Sequence, residues 1–215
     1  MINEKTQEVF VADLLKMTLG DFLTATAARQ PTPGGGAVAA LVGALAAALA
    51  TMALRYTAGK KAFASHEVEL QGAITKLTAA GRLLEELMAE DVAAYEALSA
   101  MLKLPLEARL AHPDYAAIVV AAIRGPETAG AIAQNILELT AALLEKTNKL
   151  LLSDLGIAAV YAHATLHASE LNVRVNLPLL PNNEEAAAVK KRLYELSLKA
   201  DKTYETIRNY MLRAL

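Results

Sequence analysis

Between positions 70 and 102, apolar residues recur every three or four positions: Leu70, Ile74, Leu77, Leu84, Met88, Tyr95, Leu98 and Leu102. That spacing lays one stripe along a long helix, which Ser65 would cap and the Pro-containing loop after Leu102 would end. Other helix signals divide the rest of the chain. Thr18 to Asp21 reads as a capping box, and the helix it opens runs until Pro31 and Pro33. A second helix is expected from about Ala37 to Ala58, ended by Gly59. After the long third helix, a short apolar helix should start at Tyr115 and stop at Gly125 and Pro126. A fifth is expected from about Glu127 to Lys146, and Ser153 reads as the N-cap of a sixth. The stretch LNVRVNLP, Leu171 to Pro178, alternates like a strand, while Asn172 and Asn176 share one helical face. A lone strand would have nothing to pair with, so helix or turn is the expectation. A charged amphipathic helix through Tyr194, Ile207 and Met211 closes the chain.

The second helix departs from this amphipathic pattern. From Gln30 to Leu54 there is no charge, a length that would reach across a bilayer. Yet Ala is nearly neutral in transfer to lipid and the segment opens on glycines and prolines, so a buried helix is the better reading. Gly36, Ala40, Gly43, Ala44 and Ala47 are small at three- and four-residue spacing, which lets a neighbouring helix approach closely and suits the core of a helical dimer. Burial on all sides is expected.

Composition sharpens the fold class. The chain is 54% hydrophobic but only 5% aromatic, so its apolar content is Ala, Leu and Val, which favours packed helices over a sheet. An all-α multihelical bundle, one domain over residues 1–215, is expected. The net charge of −2 is spread along the chain, with no basic footprint for nucleic acid and no polybasic membrane patch. The absence of Cys excludes disulfides and thiolate chemistry, and MINEKTQEVF lacks a signal-peptide core, so a cytoplasmic protein is expected.

Candidate chemistry lies in three places. Gly34, Gly35 and Gly36 leave a backbone open to a ligand just before a helix N-terminus, whose free N–H groups suit an anion or a polar ring edge. The run is neither a Walker loop nor a dinucleotide fingerprint, and a purely structural turn would look the same. Asp91 interrupts the apolar stripe of the third helix, and a core-facing carboxylate is costly unless paired, hydrogen-bonded or set in a cleft. Burial would raise its pKa toward neutrality, as a proton shuttle requires. Asn148, Ser153, Asp154, Asn172, Arg174 and Asn176 form a late polar cluster. Ser153 and Asp154 can be a helix start, whereas Asn172 and Asn176 beside Arg174 suit a flat heterocycle or a carboxylate. His163 and His167 have the spacing of a metal pair, but no third ligand is evident nearby, so they read as structural and no metal is expected. Lys60 and Lys61 could neutralise an acidic ligand tail or be solvated surface.

Three segments, PTPGGGAVAALVGALAAALATMALRYTAGKK, EDVAAYEAL and NKLLLSDLGIAAVYAHATLHASELNVRVNLP, together resemble the cyclodeaminase/cyclohydrolase family over nearly the whole chain. That family includes the cyclodeaminase half of formiminotransferase-cyclodeaminase and stand-alone methenyltetrahydrofolate cyclohydrolases. The resemblance implies an all-helical intertwined homodimer that binds a tetrahydrofolate derivative, with or without a polyglutamate tail, near the subunit interface. It implies no metal, nucleotide or other cofactor beyond that substrate. The reaction implied is cyclodeamination of 5-formiminotetrahydrofolate to the 5,10-methenyl compound and ammonia. The alternatives are hydrolysis of the methenyl ring to 10-formyltetrahydrofolate, or folate binding without catalysis. Asp91 is then the candidate shuttle and Asp154 the second. Gly34 to Gly36, Ser153, Asn172, Arg174 and Asn176 would position the substrate, and Lys60 and Lys61 would meet the glutamate tail. Two positions depart from the family pattern: Ala37 where Ser is frequent, and Val92 where Ala is frequent.

Overall fold

The computed structural model describes residues 14–215 and is helical throughout, with no strand among the described residues. The segment MINEKTQEVF, on which the signal-peptide expectation rests, lies outside the described residues. Among the described residues seven α-helices follow one another: α1 (Leu19–Ala27), α2 (Gly35–Arg55), α3 (Glu67–Leu102), α4 (Leu106–Leu110), α5 (Tyr115–Leu143), α6 (Leu152–Asn176) and α7 (Asn183–Ala214). Short 3-10 turns fill several of the joints.

The cap of α1 forms as its sequence requires: Thr18 accepts from the Asp21 N–H at 3.1 Å and donates its hydroxyl to the Asp21 carboxylate at 2.6 Å. Two other expected caps do not form. Ser65 falls inside a 3-10 turn, Lys61–His66, and α3 starts at Glu67, whose carboxylate reaches back to accept the Gly59 N–H at 2.8 Å. Gly59, at φ +75°, supplies the left-handed turn that allows this. Ser153 is the second residue of α6 and exposed, because Asn148 caps the preceding turn by accepting from the Leu150 N–H at 3.2 Å.

The larger correction concerns Pro126. Instead of separating two helices it sits inside α5, which runs unbroken from Tyr115 to Leu143. Proline removes the N–H that would bond the carbonyl four residues back, which is Ala122. The Asn176 amide, at the end of α6, donates to that carbonyl at 3.1 Å. A side chain 54 positions away thus replaces the missing backbone donor and lets the helix continue. LNVRVN forms the end of α6, as the helical alternative required.

α2, α3, α5 and α6 enclose the main core, with α7 laid across the outside. Small residues on α2 permit the close approach. A Cβ at Gly43 would stand 2.9 Å from the Thr165 methyl and 3.1 Å from Leu84, so α3 and α6 both press on this helix where it has no side chain. Burial of α2 is not complete, however. Leu45 is 49% exposed, and Ala48 beside it on the same face is open as well. A second apolar cluster, including Leu98, Met101, Tyr115, Val119, Val173 and Leu193, gathers at one end of the bundle. There the Tyr115 hydroxyl donates to the Leu179 carbonyl at 2.9 Å, tying the start of α5 to the turn after α6. Gly35–Arg55, Tyr115–Lys146 and Lys149–Leu179 are long and apolar enough, by length and composition, to cross a membrane.

Candidate active site

The loop Ala28 to Gly34 turns the chain sharply into α2 and leaves the first N–H groups of that helix without backbone partners. One is claimed by a side chain: the Ala37 N–H donates to Asp91 Oδ2 at 2.9 Å. Asp91 comes from the middle of α3, in the stripe that otherwise packs into the core. Glycine at 36 makes room for it, since a Cβ there would overlap the carboxylate, with Oδ2 at 2.6 Å. On the other side, a Cβ at Gly35 would meet the Asn172 side-chain oxygen at 3.5 Å. The glycine run therefore brings a carboxylate from α3 and an amide from α6 together on bare backbone.

These groups line a cavity of about 500 Å³ between the loop, α3 and α6. Thr32, Tyr95, Ser99, Lys103 and Asn176 contribute polar atoms, and Leu98, Leu102 and Val175 an apolar wall. Partial burial raises the Asp91 pKa above its ordinary value; the hydrogen bond from Ala37 pulls the other way and offsets only part of it. Such a carboxyl group holds its proton longer than a solvated one and can give it to a leaving nitrogen. Beneath Asp91 a crevice of about 10 Å³ runs on to Ser169 and Asn172. It is about the size of one water, and the buried Ser169 hydroxyl on its wall finds no partner among the described residues.

Of the residues singled out in the sequence, Gly34, Gly35, Gly36, Asp91, Asn172 and Asn176 converge on this cavity. The others do not. Arg174 lies on another face of α6, where its guanidinium donates to Glu170 at 2.6 and 2.7 Å. Ser153 and Asp154 stand at the opposite end of α6, about 27 Å along the helix from Asn172. Lys60 and Lys61 are exposed beyond the far end of α2, whose length of about 30 Å separates them from the glycines. Within one chain these residues cannot serve the same ligand as Asp91. Lys103, at the C-terminal end of α3, is the cation that does line the cavity. Ser169 and Lys103 escaped the sequence reading for opposite reasons. A serine in a helix and a lysine beside a loop are common, and only the fold turns them toward Asp91.

A carboxylate with a raised pKa, a helix N-terminus and a half-apolar cavity make this the candidate small-molecule site of an all-helical protein. A methenyltetrahydrofolate cyclohydrolase from Methylorubrum extorquens is 32% identical over an aligned length of 200 residues, which covers 89% of this chain and 96% of that protein. The chain is 29% identical over 187 residues to the formimidoyltransferase-cyclodeaminase of Sus scrofa, matching 85% of this chain but only 35% of that longer protein. A crystal structure of formiminotetrahydrofolate cyclodeaminase from Thermotoga maritima superimposes with a TM-score of 0.85 at 27% identity, covering 92% of this chain and 97% of that one. Residues 18–195 match the family model of formiminotransferase-cyclodeaminase, and the chain belongs to that family. Its relatives carry the names of enzymes acting on folate derivatives.

Proposed function

We propose that the protein is a formiminotetrahydrofolate cyclodeaminase. Asp91, partly buried in the cavity wall with a raised pKa and a fixed orientation, is the observation that carries this reading. In the reaction, N10 of 5-formiminotetrahydrofolate attacks the formimino carbon and the former imino nitrogen leaves as ammonia. With the formimino group entering as its amidinium, attack leaves an NH2 group on the tetrahedral carbon. The Asp91 carboxylate takes the N10 proton and gives it to that nitrogen, which departs as ammonia and leaves the positive charge on the methenyl product. Gly35 and the Asn172 amide offer polar contacts for a pterin edge, the apolar wall accepts the ring faces, and Lys103 meets the glutamate carboxylates. No cofactor beyond the folate itself enters these steps, and the cytoplasm is the compartment this reading assigns.

The second reading, methenyltetrahydrofolate cyclohydrolase, is favoured by the water-sized crevice beside Asp91 and by the full-length relative of that name. There the carboxylate would activate water for attack on the same carbon. Mixing the purified protein with 5-formiminotetrahydrofolate and, separately, with 5,10-methenyltetrahydrofolate distinguishes the two. Appearance of the methenyl chromophore with ammonia release supports the first; accelerated loss of that chromophore only in the second mix supports the hydrolase. No change over buffer in either mix, with folate still bound, would leave a binding protein.

The homodimer is part of the same proposal. The exposed face of α2 and the adjoining surface of α3 form a groove of about 420 Å³ lined by Ala48, Met52, Tyr56, Leu77 and Gly81. A second copy is the occupant expected there, and light scattering on the eluted protein would report twice the mass of one chain.

A further inference from the structure

His163 and His167 occupy successive turns of α6, and the structure adds what their spacing lacked: Asp201 of α7, facing both rings. The three ligand atoms form a tight triangle. His163 Nε2 stands 2.7 Å and His167 Nε2 2.9 Å from Asp201 Oδ1, and the two ring nitrogens are 3.1 Å apart. No placement of protons satisfies all three contacts when the imidazoles are neutral. If both Nε2 atoms carry hydrogen, they donate to the carboxylate but their N–H groups oppose each other. If only one does, the bare lone pair of the other faces the carboxylate oxygen. A cation at the centre receives all three lone pairs at once. Its bonds of about 2.0–2.2 Å would spread the triangle only slightly.

The surroundings fit the same role. Tyr204 stacks on the His163 ring at 4.3 Å with planes 16° apart, fixing its orientation. The Glu170 carboxylate lies 3.6 Å from His167 Nδ1, beyond a direct hydrogen bond, and sets a negative charge beside the outer nitrogen of that ring. Ser197 and Arg174 each donate to the Glu170 carboxylate at 2.7 Å and hold it in place.

We infer that His163, His167 and Asp201 form a site for one divalent transition ion of the zinc class, with solvent completing the coordination. Two imidazoles and one carboxylate select such ions over magnesium or calcium, which require oxygen donors. The site is separate from the catalytic cavity: His163 lies about 13 Å along α6 from Asn172, and neither histidine nor Asp201 lines the cavity. Its work is to clamp α7 to α6. Of the 32 residues of α7 only Val189, Leu193, Ala200, Ile207 and Met211 are buried, so a metal link beside Ala200 strengthens a thinly packed helix. This inference is independent of which folate reaction the protein performs.

The test uses the full chain without a histidine tag, stripped with chelator and titrated with zinc chloride by calorimetry and thermal melting. One saturable equivalent per chain is expected, with a Tm several degrees higher at a large excess over Kd. Cobalt in place of zinc should give the visible spectrum of a low-coordinate nitrogen–oxygen site. Both signals should vanish in His167→Ala and persist in His66→Ala. Should His167→Ala unfold, Asp201→Asn, which keeps size and shape, makes the same comparison and should weaken zinc binding at least tenfold. No saturable uptake by the wild type, or equal uptake by the His163→Ala/His167→Ala double variant, would overturn the assignment.

Discussion

Asp91 and Ala37 stand 54 positions apart in the chain, yet the carboxylate of one accepts the backbone N–H of the other at 2.9 Å. The bond pins α3 to the first turn of α2 and holds a charged group in the wall of the cavity of about 500 Å³. It serves two ends that conflict: the helix N-terminus gains an anion, while the carboxylate loses much of its water.

Replacing Asp91 by Asn separates these ends. The amide oxygen can still accept the Ala37 N–H, so the fold is retained, but the proton shuttle is gone and turnover should fall by about two orders of magnitude or more. The sign of the pH dependence follows from the raised pKa. Folded Asp91 binds its proton more tightly than the unfolded chain does, so its ionisation lowers stability as pH rises from the ordinary carboxylate range through the raised value. The variant lacks that loss. Its Tm relative to wild type should increase across that window, and melts at several pH values would measure it; a wild-type advantage that grows with pH would contradict the raised pKa.

Gly36→Ala should be among the most damaging small substitutions, because the new methyl would overlap the Asp91 carboxylate. Displacing that group costs about 1–3 kcal/mol and abolishes activity with it. Gly72→Ala is the matched comparison: exposed, also helical, with nothing within 4 Å of the added Cβ. It should stabilise by about 0.5–1 kcal/mol through helix propensity alone. Urea unfolding of both variants checks the contrast.

Asn176 and Pro126 should be energetically coupled. Asn176→Ala orphans the buried Ala122 carbonyl and should cost about 1–3 kcal/mol. Pro126→Ala restores a backbone N–H to that carbonyl, so the double variant should recover part of the loss. A double-mutant cycle that came out additive would mean that the Asn176 bond does not compensate the proline.

Lys103→Ala should raise KM for a polyglutamylated folate about two- to five-fold at low salt with little change in kcat, the range of an exposed ion pair. The effect should shrink with added salt. An equal change for a monoglutamate and a polyglutamate would place the lysine away from the tail.

Much of the architecture is legible in the sequence because it is local. The Ala-rich composition and three- to four-residue apolar spacing depend on neighbours within one helical turn, and the Thr18 cap closes over three residues. Asp91 stands out for the same reason, as a charge in an apolar stripe. The Arg174 pairing with Glu170 was open to the same reading, since the two are one turn apart on α6.

What the chain pattern could not supply are relationships between distant segments. A proline reads as a helix stop unless something replaces its missing donor, and only packing brings Asn176 to Ala122. Two histidines one turn apart read as structural until α7 folds back to set Asp201 against them. Lys60 and Lys61, Ser153 and Asp154 carry suitable charges and hydroxyls, but sequence records type and not position, and within one chain helices of about 30 Å hold them away from Asp91. Local periodicity thus marked where the chain is helical and singled out Asp91, but not the passage of α5 through Pro126. The tertiary structure alone decided which polar groups share a cavity, because rigid helices fix distance along their axes while packing chooses which faces meet.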